Sequence, residues 1–465
     1  MPALEKPLRR KIFYLMVALF GVVAPLIVLY SQGYIVDLKS RGFVSTGGIF
    51  VKTSQPGARV FVNAERSGET SFISHGALVT NLLPKRYTVR VEKDGFQPWQ
   101  KVVRISDQEV LEFRNVFLPP ASVTPAAVFR TPRQLPARVT ALEGLDEVAV
   151  ESAKAGQPSS VFIVDPKERL ARINFPNVTR WFWDAASQNF VIARMSDGQM
   201  RWSRLAWSPG GAAREEPVVF RGLPAGFSAE RIQPHPREPE EFYFFAGGAL
   251  FLQSRSSVPI PIAEQLHAYA LTREHVYFVS KNGFFVESDL NGQNTQILGR
   301  KGLFLSADQP ARIIASPEGD IAVLDSAGGL FLYQPAQDQE LQLISGNVRG
   351  IDFSANGDRA LFWDEHRLWI YWLEDNPRQP FDLARTKKQV FFSEAPIEQA
   401  YLDAPGTHIF FAAASGIRMT EVDDRGGVNA YTLVAESVST FALDRQELIL
   451  YWLQGPLLFR ANLKE

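Results

Sequence analysis

Three aspartates recur at one offset in a repeating pattern. The segments "VRGIDFS", "IEQAYLD" and "VSTFALD" place Asp352, Asp403 and Asp444 near equivalent ends of successive apolar stretches. Carboxylates that converge from several repeats on one channel, with a basic partner, form an acid–base set or hold a cation. The same recurrence suits a residue that closes a turn in each repeat. Tryptophans offer a second chemistry, because flat rings bury sugar faces well. Trp181 and Trp207 are the ones expected at exposed positions, whereas Trp363, Trp369, Trp372 and Trp452 read as packing between sheets. The six histidines are scattered, with no pair at i, i+4, and His366 beside Asp364 and Glu365 reads as a solvated turn. The chain holds no GxSxG, Walker-type loop, HExxH or EF-hand loop. It also has no cysteine, which removes disulfides, thiolate zinc sites and cysteine nucleophiles together. No catalytic residue, metal site or cofactor is assigned.

The elements that must position these side chains repeat. Residues 348–375, "VRGIDFSANGDRALFWDEHRLWIYWLED", read as strand, turn, strongly apolar strand, turn, third strand, and a short outer strand follows. Further copies start at 266, 311, 397 and 438, and weaker ones at Val139, Val178 and Ala229. The eight starts lie 39, 51, 37, 45, 37, 49 and 41 residues apart, the length of a propeller blade. Residues 126–465 are therefore expected to form a β-propeller of eight blades, with seven as the alternative. The last copy lacks a fourth strand. "AAVFR", 126–130, precedes the first copy and supplies the missing one, closing the ring without an open edge. "FSANGDRALF" and "ASPEGDIAVL" resemble the WD40-like repeats of TolB-type bacterial propellers, a likeness that speaks to architecture alone.

At the other end, residues 12–30, "IFYLMVALFGVVAPLIVLY", carry no charge. Nineteen helical residues reach roughly 28 Å, close to the hydrocarbon thickness of a bilayer. Lys6, Arg9, Arg10 and Lys11 precede this run and place the N-terminus in the cytoplasm by the positive-inside tendency. A cleaved signal peptide is the rival reading, but the run is long for one and no small-x-small site follows. The expected order is a basic cytoplasmic segment (1–11), a signal anchor with its juxtamembrane stretch (12–36) and a β-domain (45–119). A Pro-rich linker (120–125) and the propeller (126–465) complete it.

Within 45–119 the apolar period is two. Tyr87, Val89 and Val91 alternate with Thr88, Arg90 and Glu92, and the strand ends at the turn Asp94-Gly95. Pro56-Gly57-Ala58 is read as a turn device, Pro presetting φ and Gly accepting unusual dihedrals. "SQPGARVFVN" and "LLPKRYTVRVEKDGFQPWQK" resemble the opening and closing motifs of the PEGA domain family. Gln55 and Pro56 stand where the family has Pro and Glu, and Ala64, Ser71 and Lys85 replace common Gly, Pro and Gly. The resemblance implies a compact extracytoplasmic antiparallel β-sandwich with no chemistry of its own.

The whole is expected to be all-β behind one transmembrane helix. Residues 120–465 hold 33 basic and 41 acidic groups, the wrong sign for nucleic acid. The leading expectation is a single-pass plasma-membrane protein of the bacterial cell envelope with its domains extracytoplasmic. Residues 12–30 contact the lipid bilayer, and the propeller recognises an envelope protein or glycan. A propeller hydrolase or lyase acting on envelope polysaccharide or peptide is the alternative, and a sensor with a membrane partner the third.

Overall fold

The computed structural model describes the chain apart from residues 1–5, 32–33, 38–41, 132–134, 143–144, 146, 154–157, 185–188, 198, 208–212, 221, 224–226, 228, 239, 255–257, 300–302, 307–310, 439 and 465. A helix, α1 (Lys6–Ser31), contains Pro25, and its segment Arg10–Leu29 is long and apolar enough to cross a membrane. Being apolar on all sides, it has no single face to pack, and none of the span is buried against the rest of the protein. Arg10 and Lys11 are exposed, while the side chains of Lys6 and Arg9 lie outside the described residues. A hairpin, Tyr34–Asp37 with Gly42–Ser45, follows α1, and the Tyr34 hydroxyl accepts from Gln108 Nε2 at 2.8 Å.

The first β-domain is two sheets packed face to face. One holds Gly76–Leu82, Gly47–Thr53 and Val110–Val116; the other holds Glu65–Glu69, Arg59–Val62, Arg86–Glu92 and Trp99–Arg104. The period-two pattern explains the core: Tyr87, Val89 and Val91 are buried and their alternates face outward. Pairing is antiparallel except between Gly47–Thr53 and Val110–Val116, which run parallel. This departs from the purely antiparallel expectation because the domain's first and last strands both lead from the hairpin towards the propeller. Gly57 adopts a φ of 72°. Its N–H donates to the Thr70 carbonyl, and that of Ala58 to Thr70 Oγ1. Gly95 has a φ of 85°, and Asp94 pairs with Arg59 at 2.6 Å.

Behind this domain the described strands form eight blades. Each is a four-strand antiparallel meander, named A to D from the inside outward. An A strand contains, or begins within two residues of, every one of the eight expected starts. Blades 1 and 2 share one seven-stranded sheet because a single long strand, Leu170–Asp184, serves both. Its residues 170–175 pair with 161–165, Val178 pairs with both Ser159 and Arg194, and residues 180–184 pair with 189–193. In blade 8, Ala126–Arg130 pairs with Leu457–Asn462 and completes the sheet from the opposite end of the chain. The B strands Ile321–Leu324, Arg359–Trp363 and His408–Ala413 are continuously buried, as strands covered by neighbouring sheets on both faces must be.

One turn carries an electrostatic cost. Asp320 closes the A–B turn of blade 5, and burial pushes its carboxyl up to about 6, with Glu374, Asp338 and Glu318 adding repulsion. A carboxyl raised in the folded state binds protons that the unfolded chain has released, so stability falls as pH rises from about 4 to about 6. Asp320→Asn is expected to stabilise the protein at pH 7.5 by about 1–2 kcal/mol, allowing for solvent screening at a partly exposed site. The gain should vanish near pH 4. An equal shift in Tm at both pH values would sink this assignment.

Candidate functional site

In a meander blade the A–B and C–D turns share one face of the ring, and the B–C and D–A connections share the other. The first β-domain stands on the A–B face, over the outer turns of blades 6 and 7. Trp99 and Lys101 carry this joint. They alternate with Val103 on the inward face of Trp99–Arg104, and both are buried. Trp99 Nε1 donates to Glu421 Oε2 at 2.9 Å, and Lys101 Nζ lies 2.9 Å from Glu421 Oε1. Lys101 also donates to the carbonyls of Asp423 and Gly427. Asn429 supplies Glu421 with two further donors at 2.8 Å. Arg425 reaches Asp423, Gln379 and the Glu112 carbonyl, which closes the second side of the joint. Burial opposes ionisation of Asp423, but Arg425 and Lys101 outweigh it and hold the carboxyl below its ordinary value. A cleft of about 370 Å³ lies beside the joint, bordered by Phe113, Arg114, Trp372, Arg378 and Thr407.

At the centre of the same face opens a larger cavity of about 690 Å³, bordered by Leu142, Glu147, Phe353, Ala404, Arg445 and Tyr451. Asp352 and Asp444 border it too; Asp403 does not. Asp352 joins three blades: its Oδ1 accepts from Arg445 Nη2 at 2.7 Å and its Oδ2 from the Leu402 N–H at 2.9 Å. Arg445 Nη1 donates to the Phe353 carbonyl at 2.9 Å. Burial pushes the Asp352 carboxyl up, against the pull of Arg445 and the Leu402 N–H. Close by, burial and the Asp352 charge raise the Tyr401 hydroxyl to about 12, so it stays protonated at neutral pH.

The other two aspartates close turns. Asp403 Oδ1 accepts the N–H groups of Thr407 and His408, and its Oδ2 meets His408 Nδ1 at 2.8 Å. Asp444 Oδ1 accepts from Gln446 and Glu447. His235, Thr272, Ser316 and Ser354 accept backbone N–H groups at the matching turns of other blades. The position thus selects a short acceptor side chain, whatever its charge. The remaining carboxylates at the mouth are engaged as well: Glu147 with Arg172, and Glu447 with Lys464.

Trp181 is half-buried between blades 1 and 2. It stacks on Phe190, donates to Glu151 Oε2 at 2.9 Å and lies under the Arg138 guanidinium. Trp207 ends the strand Gln199–Trp207, and its side chain lies outside the described residues. Sequence reasoning missed Lys101, Glu421 and Arg445. Lys101 left a signal, because it occupies an apolar position in the alternation Trp99, Lys101, Val103.

Residues 46–119 match the family described as PEGA domain. No curated protein matches the chain. Among solved structures, the C-terminal WD40 domain of Sif2 is 8% identical with a TM-score of 0.47, covering 73% of this chain and 98% of that one. The computationally designed protein Ika8 is 10% identical with a TM-score of 0.46, covering 72% and 99%. Sqt1 of Saccharomyces cerevisiae is 11% identical with a TM-score of 0.46, covering 73% and 99%. The chain carries an apolar N-terminal helix and a PEGA domain at residues 46–119, and its own strand pairing defines the β-propeller. The blade count rests on this protein's own strand pairing.

Proposed function

We propose that this chain is a membrane-tethered binding protein of the bacterial cell envelope. In this reading α1 anchors it with the N-terminus in the cytoplasm, and the PEGA domain is a rigid spacer. The propeller presents the central mouth of its A–B face to an envelope protein or glycan. The observation that carries the reading is the joint. Lys101 and Glu421, almost wholly buried, lock the spacer to the same face that holds the cavity. A tether fixed in that way gives the ring a defined orientation, which a recognition surface needs and a diffusing enzyme does not. The turn and ion-pair duties of Asp352, Asp403, Asp444 and Glu147 favour binding over the hydrolase alternative, since none is left as a paired acid and base.

The test uses a photo-crosslinking residue at Gln446, on the A–B mouth, and another at Lys281, on the opposite face, in intact cells. A specific adduct from Gln446 and none from Lys281 is the expected outcome. External protease should degrade the propeller in spheroplasts. Protection from protease would overturn the topology, and equal or absent crosslinks from the two positions would overturn the choice of face.

A further inference from the structure

The A strands share a second register position, on the opposite side of the ring from the PEGA domain. Arg138 pairs across from Glu151, Arg180 from Ala193, Arg231 from Phe245 and Arg312 from Leu324. Aligning the B strands makes these four arginines equivalent, in blades 1, 2, 3 and 5. Each lies towards the B–C end of its blade; Arg138, Arg231 and Arg312 are on the innermost strands of their sheets, and Arg180 is on the blade 2 part of the shared strand Leu170–Asp184. Arg138, Arg180 and Arg312 are exposed and Arg231 is half-buried.

Each reaches the next blade without finding a full counterion there. Arg180 donates to the Glu230 carbonyl of blade 3, and Arg312 to the Arg349 carbonyl of blade 6 at 3.0 Å. Arg231 lies over the rings of Phe182 and Tyr269, 5.5 and 4.9 Å from their centroids. Arg138 pairs with Glu151, and nearby Arg349 with Glu365. Arg180, Arg231 and Arg312 have no carboxylate partner among the described residues. Besides Glu151 and Glu365, the region holds Glu230, which accepts the Gly247 N–H, and Glu398, exposed in blade 7. A carbonyl or a ring engages only part of a five-donor guanidinium and neutralises none of its charge. Three such groups at the mouth of a channel focus the local field towards anions, in a propeller whose overall charge is acidic. Guanidinium forks match the oxygens of phosphate and carboxylate.

We propose that the far mouth of the channel binds a small multivalent anion, bearing phosphate or carboxylate groups, through Arg180, Arg231 and Arg312. The test is calorimetric titration of the full-length protein in detergent with tripolyphosphate and, separately, with citrate. Saturable binding that weakens as salt rises is expected. The preferred anion tells a phosphate ligand from a carboxylate one. Each single Arg→Gln change should weaken binding about tenfold, as loss of a charge-assisted contact does, and the triple variant should abolish it. The three Arg→Lys changes keep the charge and should retain measurable binding. A purely structural clamp would lower Tm in the variants without any anion dependence. In the proposed site, tripolyphosphate or citrate raises the Tm of the wild type and leaves the triple variant unmoved. If the triple variant does not fold, R180Q and R312Q alone decide. No binding of either anion at millimolar concentration, or unchanged binding in these variants, overturns the proposal.

Discussion

Replacing Lys101 with methionine is expected to lower stability by about 3–5 kcal/mol, the usual cost of removing one member of a buried ion pair. The side chain is wholly buried and its ammonium meets Glu421 Oε1 and two backbone carbonyls. Methionine fills a similar volume, so cavity formation contributes little. What remains is a buried carboxylate that keeps Trp99 and Asn429 as donors but loses its opposite charge, and two carbonyls without their donor. Glu421→Gln should cost a comparable amount by stranding the ammonium. The double change K101M/E421Q should recover part of the loss, because the two sites share one interaction, with a coupling of about 1 kcal/mol or more. Denaturant unfolding measures these energies. The geometric consequence is separate. The chain has no cysteine, so spin labels at Lys52→Cys and Gln293→Cys report the distance between PEGA domain and propeller without background. A narrow distribution that broadens in K101M is expected. If stability and distribution both stay as in the wild type, the joint does not fix the spacer and the proposed function loses its main support.

Lys101 also shows where the sequence is legible. The blades were readable because most B strands are apolar runs set between turn signals, and that local pattern recurs at eight starts, weakly at Val139, Val178 and Ala229. The closing strand was readable because the final copy was one strand short. Neither inference needs to know which residues meet across the chain. The joint does: Lys101 and Glu421 lie 320 residues apart, and a lysine on a strand reads as solvent-facing until its parity with Trp99 and Val103 is counted. The aspartates were seen at matching ends of A strands, but strand pairing sets Asp352 apart from Asp403 and Asp444. Asp352 lies inside the ladder opposite Leu361, whereas the others sit at turns. Parity and register therefore decide role here more than residue type does.

The closure of the ring yields the second large effect. Val128 sits at the bulge of the Ala126–Arg130 strand and is buried with Val139, Val150, Tyr451 and Leu458 between blades 8 and 1. Val128→Asp removes an apolar contact and sets an unpaired carboxylate in that layer, a combined cost of about 4 kcal/mol or more. The consequence reaches beyond one blade. Once Ala126–Arg130 detaches, Leu457–Asn462 becomes an open edge with unpaired backbone groups, and among the described residues no other strand pairing joins the two ends of the propeller. Unfolding should begin at blades 8 and 1 and shift the whole propeller to a lower Tm, with concentration-dependent aggregation through the free edge. Amide hydrogen exchange would show protection lost first in Ile449–Gln454 and Leu457–Asn462, and later in the blades around Arg312–Ala315. Val258→Asp, at a site 68% exposed, is the matched control and should change little. Equal effects from the two substitutions, or uniform loss of protection around the ring, would mean that the closing strand is an accessory and that the blades hold the ring by face-to-face packing alone.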